Sequence, residues 1–123
     1  MIEKLLPHFN DRQAPIDMLI LHCTAHRSAE EAIDCLDKLE LSAHYVMDYD
    51  GVLYRLVPEE KRAWHAGKGY WRGDADLNSR SVGIEICNTS LGQQPYTEKQ
   101  IEKLIPFCQK IILSLIHISE PTR

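Results

Sequence analysis

The sequence predicts one small domain of the α/β (α+β) class, with strands and helices alternating along 123 residues. Two capping boxes, Ser28–Glu31 and Thr97–Gln100, each open a stretch whose apolar residues recur at helical spacing. Before and between them lie short apolar or alternating runs of the kind that form strands. We therefore expect two helices and at least four strands around one core.

The chain is predicted to begin with an irregular lead-in, residues 1–15. The apolar run Ile16–Leu21 has the length and composition of a buried central strand, and His22 is expected where that strand ends. The serine of the first capping box then starts a helix, whose apolar residues extend from about Ala29 to Leu39.

A hairpin and a further strand are predicted next. Ala43–Asp48 and Val52–Val57 are strand-like, and the Asp48–Gly51 segment between them has turn chemistry. A glycine-rich loop follows over residues 67–78, and Ser81–Cys87 is a strand with clear alternation. Its two faces are predicted to carry Val82, Ile84 and Ile86 on one side and Gly83, Glu85 and Cys87 on the other.

The second helix is predicted to start after Thr97, with a kink at Pro106. The last eleven residues, LSLIHISEPTR, match one reading frame of a transposase mosaic-end sequencing adapter residue for residue. We therefore expect the domain to comprise residues 1–112 and residues 113–123 to be a translated adapter rather than native protein. His117 is accordingly not a ligand candidate.

Charge and cysteine content limit the function classes. The chain has 14 basic and 18 acidic side chains and no run of Lys or Arg, so nucleic acid is not an expected partner. No apolar stretch of signal-peptide or membrane-span length is present near the start, and the four cysteines show no CxxC spacing. These features predict reduced thiols and a cytoplasmic location.

Two residues have the setting of a hydrolytic site. A histidine at the mouth of a buried strand, as predicted for His22, is held rigidly and suits a metal ligand, although a buried histidine bonded to backbone is the alternative. Glu85 has the space of Gly83 beside it, which suits a general base acting on metal-bound water. The alternative for Glu85 is an exposed strand carboxylate.

Two further histidines are candidates on weaker grounds. His44 and Tyr45 are neighbours on a strand, so at most one of them faces the site. His65 follows Trp64 and precedes small residues that allow a ligand to approach, although a structural loop histidine is equally compatible with this pattern.

Four ordered blocks, LILHCTA, SAHY, AWHAG and SVGIE, together carry a family resemblance. With the stretches FNDRQAPIDMLILHCTA, SAHYVMDYDGVLYRLVPEEKRAWHAG, WRGDADLNSRSVGIEICN and YTEKQIEKLIPFCQKII, the chain resembles the zinc-dependent N-acetylmuramoyl-L-alanine amidases of the type 2 group over residues 9–112. This group includes AmiD-like and peptidoglycan-recycling enzymes, and its relatives include the peptidoglycan recognition proteins and phage T7 lysozyme.

The resemblance implies a central mixed sheet flanked by helices, Zn²⁺ as cofactor, and peptidoglycan or muropeptide as substrate. It implies that His22 is the first zinc ligand and that Glu85 is the catalytic carboxylate. Ala43 stands where phage-type enzymes have a catalytic tyrosine, so the chain resembles the branch that uses the glutamate. Residues expected to bind substrate are His44, Trp64, His65, Trp71, Arg72 and Asn78.

The chain also departs from the family pattern. The resemblance implies a second histidine ligand, a third ligand that is aspartate or cysteine, and a helper lysine, all in a block after the second helix. That block is not found in this sequence, so we expect the 123-residue chain to have little activity. The alternatives are a non-catalytic peptidoglycan-binding module and, from another class, a protein interaction domain. Because AmiD-like enzymes can be anchored in the envelope, that compartment is the alternative location.

Overall fold

The computed structural model describes residues 1–67, 76–89 and 94–119, with side chains described as far as Leu115. The elements in chain order are β1 (Ile2–Glu3), β2 (Phe9–Asp11), β3 (Met18–Thr24), α1 (Ala29–Lys38), β4 (Tyr45–Met47), β5 (Leu53–Arg55), β6 (Lys61–Ala63), α2 (Leu77–Arg80), β7 (Ser81–Cys87) and α3 (Glu98–Ser119).

The mixed sheet that the family resemblance implies is confirmed. It has five strands in the order β1-β5-β4-β7-β3. The β4–β5 hairpin is antiparallel, whereas β7 runs parallel to both β4 and β3. Strands β2 and β6 form a separate antiparallel pair. This arrangement places β7 between two parallel neighbours, where both of its faces must be covered.

One helix covers each face of the sheet. Ala32 and Ile33 of α1 belong to a buried cluster with Val46 of β4, and Ile111 of α3 belongs to a second cluster with Ile84 of β7. The alternation predicted for β7 is confirmed, because Val82, Ile84 and Ile86 all pack in the α3 cluster. The side of β7 that carries Glu85 therefore faces away from α3.

The predicted starts of both long helices are confirmed by the hydrogen bonds of their capping residues. The Ser28 hydroxyl accepts a hydrogen bond from the Glu31 amide at 3.2 Å. At the second cap the bonds are reciprocal: the Thr97 hydroxyl accepts from the Gln100 amide at 3.1 Å, and the Gln100 side chain accepts from the Thr97 amide at 2.9 Å.

Two predictions about the first part of the chain are wrong. Strand β3 is at the edge of the described sheet rather than at its centre, and Leu21 on it is 48% exposed. An apolar run indicates that a strand has buried side chains, but it does not indicate whether other strands pair with it on one edge or on both. The lead-in contains β1 and β2, whose two and three residues are too short to show periodicity.

Three further observations concern positions that bear on the site. His22 lies inside β3, which continues to Thr24, rather than just after it. The predicted loop over 67–78 ends in helix α2, and residues 68–75 lie outside the described residues. Helix α3 extends past Ile112, and Leu115 packs in the α3 cluster; the adapter origin of residues 113–123 stays a prediction.

In the part of the chain that the structure describes, no helix has both the length and the apolar character needed to cross a membrane.

Candidate active site

The site is centred on a pair of neighbouring residues in the parallel β3–β7 ladder. His22 and Glu85 are register partners, so their side chains lie on the same face of the sheet. Gly83, two residues before Glu85 on β7, shares that face and adds no side chain. The ladder thus holds an imidazole and a carboxyl group side by side on rigid backbone.

Glu85 is a carboxyl group in a poorly solvated position. None of the described residues forms a hydrogen bond with its side chain, and burial raises its pKa to about 7. A carboxyl group with a pKa near neutrality exists in both protonation states under ordinary conditions. This property suits a group that first accepts a proton and then donates it.

His22 is held in place by a second imidazole. Its Nε2 lies 2.9 Å from Nδ1 of His65, and the two ring planes meet at 72°. Burial lowers the pKa of His22 below the usual histidine value, so the ring is neutral at neutral pH. A neutral imidazole has a lone pair available on one nitrogen.

His65 fills the space that Gly83 leaves open. Its Nε2 lies 3.0 Å from the Ser81 hydroxyl, and its backbone amide donates to the Asn78 side-chain oxygen at 3.1 Å. The same oxygen accepts from the Ala66 amide at 2.7 Å. Burial lowers the pKa of His65 to about 3, so this ring is also neutral.

The close approach of His65 to Gly83 gives a testable prediction. A Cβ atom at position 83 would lie 2.5 Å from Cγ and Nδ1 of His65. Gly83→Ala is therefore expected to lower the free energy of unfolding by about 1–3 kcal/mol, measured by urea denaturation.

Gly67→Ala is the matched control, because a Cβ at that position meets no heavy atom of the described residues within 4 Å. Equal denaturation midpoints for the two alanine variants would contradict the close packing of His65 on Gly83.

His44 is fully buried, and both of its ring nitrogens are engaged by backbone atoms. The Gly83 amide donates to Nδ1 at 3.0 Å, so Nε2 carries the proton and donates to the Lys61 carbonyl oxygen at 2.8 Å. Burial lowers its pKa to about 4. Contact of His44 with substrate stays a prediction, and in this geometry the ring links β7 to β6.

Arg12 is a residue that the sequence reasoning did not single out. Its guanidinium donates to the carbonyl oxygens of Glu59, Asn78, Ser79 and Ser81 at 2.7–3.2 Å. Burial lowers its pKa to about 10, which leaves the group charged at neutral pH. Its position in a segment predicted to be irregular gave no signal of this role.

The other predicted substrate residues have different positions. The Trp64 indole donates to the Asn10 side-chain oxygen at 3.1 Å, and Asn78 uses its side-chain oxygen on the backbone near His65. Trp71 and Arg72 lie outside the described residues. The structure thus brings together His22, His44, His65 and Glu85.

Comparison with known proteins identifies the family to which this arrangement belongs. Residues 12–122 match the family model described as N-acetylmuramoyl-L-alanine amidase. The chain belongs to this amidase family. Matches to individual members agree with that assignment.

AmiD of Escherichia coli (strain K12) is 37% identical in an alignment of 111 positions that covers 79% of this chain and 40% of AmiD. AmpD of Enterobacter cloacae, a 1,6-anhydro-N-acetylmuramyl-L-alanine amidase, is 42% identical over 74 residues, covering 60% of this chain and 38% of AmpD. The chain thus spans about two fifths of the length of these curated relatives.

Two solved amidase structures share the fold. E. coli AmiD in complex with anhydro-N-acetylmuramic acid-L-Ala-D-γ-Glu-L-Lys superposes with a TM-score of 0.73 and 30% identity, covering 86% of this chain and 47% of AmiD. A selenomethionine derivative of AmpD gives a TM-score of 0.77 and 25% identity, covering 92% of this chain and 74% of AmpD.

The zinc expected for this amidase family is not accommodated by the described residues alone. Catalytic zinc usually takes three protein ligands. No group of three or more His, Cys, Asp or Glu side chains is placed to hold a metal ion in residues 1–67, 76–89 and 94–115. His22 is the one predicted ligand present, and its Nε2 already contacts His65.

We therefore expect the 123-residue chain to bind Zn²⁺ with a Kd weaker than about 1 μM, which corresponds to a binding free energy below about 8 kcal/mol. Complete structural zinc sites typically have about 10–16 kcal/mol. Competition with a chromophoric chelator measures this affinity. His22→Ala and, as a control at a histidine that bonds to Asp37 instead of His65, His8→Ala are compared with the unmodified chain. Tight one-to-one binding that only His22→Ala removes would contradict the prediction.

Proposed function

We propose that this protein hydrolyses the amide bond between the lactyl group of N-acetylmuramic acid and L-alanine in peptidoglycan or muropeptides. The observation that carries the proposal is the pairing of His22 with Glu85 on the β3–β7 ladder of a chain that belongs to the amidase family. The relatives AmiD and AmpD bear the names of muramoyl-L-alanine amidases.

Glu85 is proposed to move the protons of this reaction. Water adds to the amide carbonyl carbon as Glu85 accepts one of its protons, and the carbon–nitrogen bond then breaks as Glu85 returns that proton to the alanine nitrogen. Ionised Glu85 is needed for the first step and protonated Glu85 for the second. A pKa of about 7 makes both states accessible in one catalytic cycle.

Zinc is the proposed cofactor, with His22 as its first ligand. Family membership and the neutral His22 ring support this assignment. The remaining ligands are not among the described residues, so the 123-residue chain by itself is proposed to have little activity.

An anhydromuropeptide is the proposed test substrate, because the AmiD structure that this chain resembles holds anhydro-N-acetylmuramic acid linked to L-Ala-D-γ-Glu-L-Lys. The residues proposed to line its groove remain His44, Trp64, His65, Trp71, Arg72 and Asn78. A cytoplasmic location is supported by four cysteines that are all free thiols, and the cell envelope is the alternative.

A peptidoglycan-binding module is the second candidate function. It is favoured by one observation, the absence of a complete metal-ligand set among the described residues. On this alternative the same face of the sheet would hold a muropeptide without cleaving it.

The experiment that separates these functions measures binding and cleavage of one anhydromuropeptide in parallel, by calorimetry and mass spectrometry. It compares two samples with Zn²⁺ present: the 123-residue chain, and the natural-length protein, which is expressed from the uninterrupted natural reading frame. If the protein is an amidase, the natural-length protein releases the stem peptide. A muropeptide bound intact by both samples supports the binding module, and absence of binding supports an interaction domain.

A further inference from the structure

We propose that His65 is a positioning residue that fixes the orientation and the tautomer of His22, with Ser81 setting the direction of the hydrogen bonds. The proposal rests on the role proposed above for His22 and extends it to a residue predicted to contact substrate. It follows from a chain of three hydrogen bonds that begins at the carbonyl of Leu77, the first residue of α2.

The direction of these bonds is set by the only proton of the Ser81 hydroxyl. That hydroxyl donates to the Leu77 carbonyl oxygen at 2.7 Å, so toward His65 its oxygen can only accept. The His65 ring must therefore carry its proton on Nε2, which lies 3.0 Å from the Ser81 oxygen. In a neutral imidazole the other nitrogen, Nδ1, is then an acceptor.

The same argument determines which nitrogen of His22 carries the proton. Nδ1 of His65 lies 2.9 Å from Nε2 of His22, so His22 must donate from a protonated Nε2. This leaves Nδ1 of His22 with its lone pair, and no described residue forms a hydrogen bond with it. His22 thus presents one defined acceptor atom on the face that it shares with Glu85.

His65 can fix its partner because its own position is tightly determined. The absence of a side chain at Gly83 lets the ring pack against β7, and the Asn78 side chain holds the backbone on both sides of the His65 carbonyl. Ser81 is fully buried, so water does not replace its hydroxyl. Both ring nitrogens of His65 are engaged inside the protein, one with Ser81 and one with His22, so the ring is placed to position His22.

The test is NMR of the 123-residue chain labelled with ¹⁵N-histidine at mildly alkaline pH, where the rings of His22, His44 and His65 are neutral. We expect protonated Nε2 on both His22 and His65. We also expect a nitrogen–nitrogen coupling across the hydrogen bond, with His22 as the donor. Absence of the coupling, or His65 as the donor, would overturn the proposal.

Ser81→Ala removes the acceptor for His65 and is expected to abolish the coupling or reverse its direction. Ser79→Ala is the matched control, because Ser79 is equally buried in the same segment and bonds to Asp76 and Gln13 instead. An unchanged coupling with His22 as donor in a folded Ser81→Ala protein would contradict the role assigned to Ser81.

A second pair of variants tests the acceptor itself. His65→Leu is expected to expose the His22 Nε2 proton to fast exchange with water, whereas His65→Asn keeps an acceptor oxygen near the former Nδ1 and is expected to preserve slow exchange. Equal exchange rates in these two variants would overturn the proposal. Because none of these readouts requires turnover, their failure is distinguishable from failure of the proposed amidase activity.

Discussion

Glutamine at position 85 is expected to lower the rate of muramoyl-alanine hydrolysis by about 10²–10⁴-fold, the contribution typical of a general acid–base. Glu85→Gln keeps the size and shape of the side chain but cannot accept a proton. Muropeptide affinity is expected to change little, so the loss falls on kcat rather than on KM. Mass spectrometry of products from the natural-length protein measures the rate, and calorimetry measures the affinity.

The same substitution is expected to stabilise the fold above neutral pH. The pKa of Glu85 is raised from 4.5 to about 7, so between these values the folded state binds a proton that the unfolded state lacks. Stability therefore falls as pH rises through this window, and Glu85→Gln, which has no charge to desolvate, should recover about 1–3 kcal/mol at alkaline pH.

Denaturation at acidic and alkaline pH measures this difference, with Glu102→Gln as control because that glutamate is exposed on α3. A Glu85→Gln protein with unchanged activity would remove Glu85 from the mechanism. A Glu85→Gln protein with no gain in alkaline stability would contradict the desolvated setting of the carboxyl group.

Loss of the Arg12 guanidinium is the second large expected effect. Arg12→Met should lower the free energy of unfolding by about 3–5 kcal/mol, because it removes charge-assisted bonds to four carbonyl oxygens in the interior. Three of these carbonyls belong to the segment that carries Asn78 and Ser81. Urea denaturation measures the loss.

Arg55→Met is the control, since Arg55 pairs with Glu3 at the surface and such pairs contribute about 0–1 kcal/mol. Arg12→Lys retains the charge without the planar fork of donors, so an intermediate loss is expected. Comparable stability of Arg12→Met and Arg55→Met would show that the four carbonyls do not depend on Arg12.

The fold could be predicted where local chemistry determines it. The capping residues Ser28 and Thr97 mark the two long helices, and the alternation in Ser81–Cys87 gives both faces of β7. The edge position of β3 could not be predicted, because it depends on which strands pair and not on the composition of the run itself. Strands β1 and β2 form through their pairing with β5 and β6.

The site, like the fold, could be predicted from the sequence only in part. The family resemblance named His22 and Glu85, and the ladder register places them opposite each other. The roles of Arg12 and Ser81 depend on side-chain contacts between segments far apart in sequence, such as the Arg12 bond to the Ser81 carbonyl. No pattern within either segment signals such a contact.

The most direct test of the central claim is to identify the bond that the natural-length protein cuts in an anhydromuropeptide dissolved in H₂¹⁸O. Hydrolysis of the muramoyl–alanine amide predicts a stem peptide with a free L-alanine amine and a lactyl carboxylate that carries one ¹⁸O atom. An intact muropeptide, or a cut between residues of the stem peptide, would contradict the amidase assignment.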